Sequence, residues 1–319
     1  MTMKKLAELC GVSVSTVSKA FSGSRELSEE KRRHIFDIAK KYGCFDKYYK
    51  GAYSGKVVAV ICPEYKSGYY SELLSLFDRE LSRRNALMIC SCTDFEQERA
   101  YELLSYFTQY SKVDGIISLA YINTDRKFSV PIVTLGENEE FDSVKISEEA
   151  AVSEVIRHLK ENGHRNIAFI GETLTDSRHK DFLSGMEKNL LPVRDEFVII
   201  GKSRFEECGY DSMNKLLAGD TLPTAVIAAY DNIAFGAMKS ITEHGLRIPD
   251  YISLVGFDNN RISPYLDIPL SSVTSYNEDL CEIMVNLLFE QMNHKTKPKK
   301  INIAKDIIFR ASIGKNDKN

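Results

Sequence analysis

What this 319-residue chain lacks narrows its reading first. It has no run of about 18 apolar residues, so nothing in it is long enough to span a membrane as a helix. Its start, MTMKKLAELC, sets lysines ahead of a cysteine as a lipoprotein signal would. Glu8 interrupts that pattern, no apolar h-region follows, and Leu9 is a poor residue before the cysteine. No export is expected, and the protein should be cytoplasmic. There is no C-x-x-C pair: the seven cysteines, at 10, 44, 62, 90, 92, 208 and 281, are odd in number and scattered. They read as small buried hydrophobes in a reducing compartment, with Cys90 and Cys92 sharing one face if they lie on a strand. The six histidines show no ligand spacing, so no metal is expected. No G-x-G-x-x-G follows the first aliphatic run, which leads into PEYKSGYY, and no G-x-x-x-x-G-K-[ST] occurs. No Ser/His/Asp set is placed by a recognisable motif. An α/β enzyme such as a dehydrogenase or kinase is therefore disfavoured, and neither catalytic residues nor a cofactor is expected.

What is present begins with an uneven charge. Residues 1–56 carry 12 Lys and Arg against 6 Asp and Glu, a net of +6, whereas the remainder carries 30 against 39, a net of −9. A basic head on an acidic body implies that only the head meets a polyanion. With 43% hydrophobic and 27% charged residues, the chain can build a sizeable core and more than one domain.

The head reads as three short helices. Thr2 can cap the first, which carries Leu6, Ala7 and Leu9 and stops at Gly11. Ser13 can cap the second, with Val14, Val17 and Phe21 inward at helical spacing. Ser28 can cap the third, where Glu29 and Glu30 complement the dipole, Ile35, Phe36 and Ile38 face one side, and Gly43 closes the turn. Two helices joined by a tight turn at Gly11 make a helix-turn-helix. With its second helix in a major groove, Ser15, Thr16, Ser18 and Lys19 point outward. Short hydroxyl side chains hydrogen-bond phosphates or base edges without holding a helix off the groove floor. Double-stranded DNA is the expected partner.

From Lys56 onward, aliphatic runs such as VVAVIC, DGIISLA, NIAFIG, TAVIAA and ISLVGF alternate with amphipathic stretches such as SELLSLFDRELSRR. Continuous apolar runs between helices predict buried parallel strands, hence doubly wound α/β sheets. The length of this part predicts two such subdomains.

The motifs carry a specific resemblance. MKKLAELCGVSVSTVSKAFSG and LSEEKRRHIFDIAKKYG resemble the head of the lactose-repressor (LacI/GalR) family of bacterial transcription regulators. NGHRNIAFIG, LPTAVIAAYDNIAFGAM, GLRIPDYISLVGFDN and PLSSV resemble signatures of the body of the same family, in the family's order. The resemblance covers nearly the whole chain. It implies an α/β protein with a three-helix head on residues 1–45, a linker on 46–55 and a body on 56–319. The body resembles a periplasmic sugar-binding protein, two subdomains joined by three crossings. The first is expected over about 56–162 and 275–300, the second over about 163–274 and 301–314. The implied function is a sequence-specific DNA-binding regulator, most naturally a repressor. A small polar effector in the cleft would control it, a homodimer would pair two heads on a near-palindromic operator, and no membrane is involved. A solute-binding protein without a DNA role is the alternative, and the basic helix-turn-helix argues against it.

Residue by residue, the resemblance implies that Val14, Ser15 and Lys19 read bases while Thr16 and Ser18 face phosphates, beside the cap Ser13. Lys19 stands where Arg is commoner and lacks its bidentate fork toward guanine. After Tyr42-Gly43 the family carries R-P-N-x-x-A-R-x-L, a hinge helix whose Leu wedges into the minor groove. Here Lys50, Gly51 and Tyr53 replace the Ala, Arg and Leu, leaving Tyr53 at the wedge position and predicting weaker DNA bending.

In the body, Asp258 matches an effector-contacting aspartate and Arg178 the arginine of an R-x-x-G-F motif, with Asp181 in place of its Gly. Ser67 and Tyr70, with Tyr69, match the stretch after the first strand, and Tyr230 replaces a frequent Asn. Asp231 reads as the N-cap of the following helix. Arg204, with Phe205 one residue on, stands where an aromatic stacks on the effector. Asp258 is expected to accept hydrogen bonds from ligand hydroxyls and Arg178 to donate to the ligand. The effector is expected to be a sugar, and the guanidinium of Arg204 admits a phosphorylated or acidic sugar as well.

Overall fold

The computed structural model describes all residues except 23, 25, 50–54, 112, 123, 125–127, 275, 295, 296 and 317–319, and the side chain of residue 46. It forms two compact units, Met1–Lys56 and Val57–Asn319.

The first unit holds helices α1 (Met3–Cys10), α2 (Val14–Phe21), α3 (Glu29–Lys41) and the single turn α4 (Phe45–Tyr48). Thr2, Ser13 and Ser28 each accept a hydrogen bond from the backbone N–H three residues on, satisfying donors that the helix itself leaves open. Gly11 closes α1 at φ 64°, a left-handed conformation that glycine adopts at no steric cost. Leu6, Ala7, Val17, Ala20, Phe21, Ile35 and Ala39 fill the core. Phe21 and Phe36 lie 5.1 Å apart at its edge. Arg32 on α3 donates to the carbonyls of Ala20 and Ser24, tying the end of α2 to α3. Val14 departs from the expected inward face, being 44% exposed. It is the first residue of α2, a turn before the buried Val17, where the helix has only begun and its side chain stays open to solvent. The linker positions Lys50, Gly51 and Tyr53 lie outside the described residues, and so does the hinge-helix expectation.

The second unit contains β1 (Lys56–Cys62), α5 (Gly68–Arg83), β2 (Ala86–Cys92), α6 (Gln97–Gln109), β3 (Gly115–Ser118), β4 (Ile132–Leu135), β5 (Asp142–Ser147) and α7 (Glu149–Glu161). It continues with β6 (Ile167–Glu172), α8 (Asp176–Lys188), β7 (Val198–Gly201), α9 (Phe205–Leu217), β8 (Ala225–Ala228), α10 (Asp231–Glu243) and β9 (Ser253–Phe257). The chain ends with β10 (Ser271–Thr274), α11 (Asn277–Asn293), β11 (Lys300–Ala304) and β12 (Asp306–Ile308). Two six-stranded sheets result, ordered β11-β5-β4-β3-β1-β2 and β12-β10-β9-β8-β6-β7. The ladders β1–β3, β3–β4, β4–β5 and β5–β11 are parallel, as are β7–β6, β6–β8, β8–β9 and β9–β10; β12 runs antiparallel to β10. Strands such as β3 and β8, buried along their whole length, explain the unbroken aliphatic runs of the sequence. Two doubly wound sheets, in the part of the chain that follows the helical head, are the fold class expected from the sequence. Among the described residues no helix is long and apolar enough to cross a membrane.

Two subdomain boundaries differ from expectation. Helix α7 packs on α8 and places Ala151, Val152, Val155, Ile156 and Leu159 in the core of the second sheet, so the first crossing is at Glu148, not near 162. Residues 301–304 pair with β5 in the first sheet, so the third crossing is at Lys305, not near 300. An apolar stripe shows that a helix packs, not against which sheet.

Helices α9 and α10 approach closely through two glycines. A Cβ on Gly209 would stand 1.8 Å from the carbonyl oxygen of Ile233, and one on Gly236 1.8 Å from that of Glu206. Both obstacles are backbone, so the helices must separate to admit a methyl group. Gly209→Ala is expected to cost about 3 kcal/mol of stability through overpacking, read as a lower denaturation midpoint at unchanged m-value. An unchanged midpoint would show that this contact is not tight.

Candidate functional site

On α2 the structure exposes Ser13, Val14, Ser15, Ser18 and Lys19 and leaves Thr16 half-buried, while Val17, Ala20 and Phe21 face the core. The Ser13 hydroxyl lies 2.8 Å from those of both Ser15 and Thr16, so three hydroxyls form one polar ridge at the helix start. The start of a helix carries partial positive charge and open N–H groups, which favours an anion there. Lys19, in the last turn, donates to Glu26 at 2.5 Å, with both side chains exposed. Lys19, first among the causes, holds the Glu26 carboxyl below its ordinary range.

In the second unit a cavity of about 470 Å³ opens between the two sheets. Its walls come from segments that follow the C-terminal ends of parallel strands: Glu64 after β1, Glu148 after β5, Arg204 after β7, Tyr230 after β8 and Asp258 after β9. Both sheets reverse their winding direction at β1/β3 and β6/β8, the place where open α/β sheets bind ligands. Among the predicted residues, the cavity gathers Ser67, Tyr70, Arg178, Arg204, Phe205, Tyr230 and Asp258, together with Tyr69 and Asp231. Phe95, Phe205 and Asp258 have φ of 64°, 56° and 84°, a strained conformation for non-glycine residues that concentrates where a structure is held for use.

The cavity floor is a buried cluster of four charges. Arg178 donates to Glu148 through Nε and Nη2 at 2.9 and 3.2 Å, and to Asp258 at 2.7 and 3.4 Å. Its remaining bond goes to the Ala229 carbonyl. A guanidinium has five N–H donors, and all five are used. Arg178 therefore does not present free donors to a ligand, which corrects the expectation from the sequence. Lys305, with its side chain 1% exposed, reaches Glu148 at 2.7 Å and Asp258 at 3.6 Å. Burial alone would raise the Glu148 carboxyl, but Arg178 and Lys305 pull it from an ordinary 4.5 down to about 2. Glu148 and Lys305 are the first and third crossings between the sheets, so cavity floor and crossings are one hydrogen-bonded object.

A second cluster joins the sheets directly. Arg204 makes a bidentate bond to Glu64 at 2.7 and 2.9 Å, and its Nε reaches Glu172, at the end of β6, at 3.0 Å. The guanidinium lies 4.4 Å from the Phe205 ring and 5.4 Å from that of Phe95. Two carboxylates more than cancel its charge, so it does not argue for a phosphorylated or acidic ligand. That expectation is also corrected.

Asp231 is not a side-chain cap. It is the first residue of α10 and accepts from the Ser272 hydroxyl at 2.7 Å, the Asn260 N–H at 2.7 Å and the Ser263 hydroxyl at 2.5 Å. It thereby fastens the loop after β9 and the strand β10 to α10. Burial lifts its carboxyl from 3.8 to about 7 against the pull of the two hydroxyls. Tyr69 and Tyr70 have hydroxyl pKa values raised by burial and then by Asp258. Ser67 immediately precedes α5 without capping it. The sequence reading missed Glu64, Glu148, Glu172 and Lys305. Glu64 and Glu172 lie at or just beyond the end of an aliphatic run, which is the available signal, whereas Glu148 follows the mixed stretch DSVKIS and Lys305 follows KINIA.

A DNA-reading helix-turn-helix head and a ligand-binding-protein-like body define the class of a DNA-binding transcription regulator. The family model for bacterial regulatory proteins of the lacI family matches residues 2–43, and that for the periplasmic binding protein-like domain matches residues 156–313. Catabolite control protein A of Priestia megaterium is 28% identical over 313 residues, covering 93% of this chain and 94% of that protein. The HTH-type transcriptional repressor PurR of Mannheimia succiniciproducens is 26% identical, covering 98% and 99%. The solved complex of the transcriptional regulator CelR with cellobiose shares the fold at a TM-score of 0.69 and 22% identity, covering 98% of this chain and 99% of CelR. The chain belongs to the lacI family of bacterial transcription regulators. It is a DNA-binding regulator and repressor by class, acting through its head, and not an enzyme.

Because Glu148 has a depressed pKa, its contribution to stability is full above about 4.5 and is lost as pH falls toward 2. Glu148→Gln leaves two buried cations facing Asp258 alone and is expected to cost about 3 kcal/mol at neutral pH. The gap between wild type and variant should narrow as acid protonates the wild-type carboxylate. Denaturant titrations across that pH range check it, and a pH-independent gap would remove the carboxylate from this role.

Proposed function

We propose that this regulator is a repressor whose hold on a near-palindromic operator, as a homodimer in the cytoplasm, is set by a small polar ligand in the cavity between its sheets. The observation that carries this reading is the pair of charge clusters lining that cavity. One contains two of the crossings, Glu148 and Lys305; the other, Arg204 with Glu64, bridges one sheet to the other. A ligand that competes for or adds to those bonds shifts the angle between the sheets, since it binds one arrangement better than the other. The cellobiose held by CelR supports a sugar or sugar derivative as the ligand class.

In the proposed roles, Val14, Ser15 and Lys19 contact base edges, and Ser13, Thr16 and Ser18 contact phosphates. Asp258 orients the ligand while keeping its bonds to Arg178, and Tyr70 and Phe205 cover apolar faces. A single small head covers a half-site, which supports a two-fold dimer. The test is operator binding with and without a panel of neutral sugars, alongside calorimetry of each sugar. A sugar that binds and shifts operator affinity supports the reading. Sugars that bind without any effect on the operator overturn it.

Lys19→Ala should weaken operator binding and relax sequence preference by about 1–3 kcal/mol at the contacted base pair. Quantitative footprinting on the operator and on single-base variants checks this. Equal affinity and equal preference would take Lys19 out of the interface.

A further inference from the structure

The cavity's charge is unbalanced in a direction opposite to that expected from the sequence. Eight carboxylates line it, against three basic side chains, with Lys305 a fourth cation beneath the floor. Every one of those cations is already in an ion pair. Arg178 and Lys305 share Glu148 and Asp258, Arg204 is held by Glu64 and Glu172, and Lys145 pairs with Glu137 at the rim. Three carboxylates, Glu72, Asp181 and Asp231, stay without a cation in ion-pair distance among the described residues, and Asp231 is already held by two hydroxyls and a backbone N–H. Glu72, on α5 and partly open to solvent, accepts from the Asn277 amide at 3.1 Å, and the half-buried Asp181 side chain, on α8, has no hydrogen bond among the described residues. They stand on walls contributed by different sheets. Each has its carboxyl raised, by burial first and then by neighbouring carboxylates: Glu278 and Asp258 for Glu72, Glu148 and Glu149 for Asp181. Both would be relieved by a positive charge between the walls. The aromatic rings of Tyr69, Tyr70, Phe95, Phe205 and Tyr230 line the same space and favour a cation over an anion at their faces.

Resting on the reading that this cavity takes a small ligand, we infer that the ligand is a polyhydroxyl compound bearing a protonated amine, with Glu72 and Asp181 as the counter-charges that select it. An anionic ligand meets no free donor on Arg178 and an excess of carboxylates. A neutral polyol can donate hydrogen bonds to Glu72 and Asp181 but leaves their negative charges uncompensated.

The test uses three compounds of one shape and different charge, which removes ring stereochemistry from the comparison. They are tris(hydroxymethyl)aminomethane, a cation at neutral pH; pentaerythritol, its neutral isostere; and 2,2-bis(hydroxymethyl)propionate, an anion. Binding to the full-length protein is followed by ligand-detected NMR and thermal shift in an amine-free buffer. The cation is expected to bind about tenfold more tightly than the neutral tetraol, as one partly buried ion pair implies, with the anion weakest. The preference should shrink as salt is raised, and vanish in the Glu72→Gln/Asp181→Asn double variant while pentaerythritol binds that variant as it does the wild type. Equal binding of the three, tightest binding of the anion, or no saturable binding by any of them overturns the inference. So does a cation preference that the double variant retains. The broader reading fails separately, if sugars that bind leave the operator affinity unchanged.

Discussion

The body is organised around a buried quartet of charges, Arg178, Glu148, Lys305 and Asp258, none more than 17% exposed at the side chain. Removing four charges from water is expensive, and such clusters often contribute little net stability compared with apolar packing. What they contribute is definition. Arg178 has no donor to spare, so any displacement of Glu148 or Asp258 breaks bonds that nothing nearby replaces. The crossings at Glu148 and Lys305 are thereby tied to the loop after β9, where Asp258 sits at a strained φ of 84°. A packed network of this kind has a few discrete arrangements rather than a continuous range, which is what a switch between two sheets requires.

Arg204 adds the other half of that requirement. Its bidentate bond to Glu64 links the end of β1 in one sheet to the segment before α9 in the other, so it exists only when the two sheets are close. Glu64 and Glu172 are each below a tenth exposed, while Arg204 is about a third exposed and is the member of the trio that solvent or a ligand can reach. Opening would leave the carboxylates to be solvated, and closing would leave them dependent on a single guanidinium. The geometry makes closure conditional on what else occupies the cavity, because a group that shares or replaces Arg204 changes the balance directly.

Much of the fold is legible in the sequence. The capping serines and threonine of the head, the left-handed Gly11 and the strand-length aliphatic runs each reflect a local rule. The structure shows that rule operating at the same residue. The partner of α7 is not legible, because its pattern of Ala151, Val152, Val155, Ile156 and Leu159 fits either sheet equally. The site is legible by position and not by state. Asp258, Arg178, Arg204 and Tyr70 do converge, but the sequence presents the two arginines as free cations. Their partners lie 30 to 140 residues away, at Glu148, Glu172, Glu64 and Asp258, and pairing at that range leaves no periodic trace. Reading charge from residue identity alone therefore gave the cavity the wrong sign.

The head poses the converse case, in which exposure leaves the charge available. Lys19 is held by Glu26, but both side chains are more than half exposed, so water and salt screen the pair and little is lost when it opens. A phosphate or a guanine edge can take the ammonium from Glu26 far more easily than a ligand could take a guanidinium proton from Glu148 or Asp258. Lysine also suits that exchange better than arginine would, since its point charge has no bidentate geometry to satisfy before it lets go. In the proposed roles the cost is weaker discrimination at the contacted base, and the hydroxyls of Ser13 and Thr16 at the other end of α2 would offset it by fixing the helix on the DNA backbone. With +6 on residues 1–56 and −9 on the rest, the long-range field attracts DNA to the head and repels it from the body. The surplus of carboxylates in the body, which on the inferred ligand preference would also disfavour anions in the cavity, thus works against non-specific contact between body and duplex.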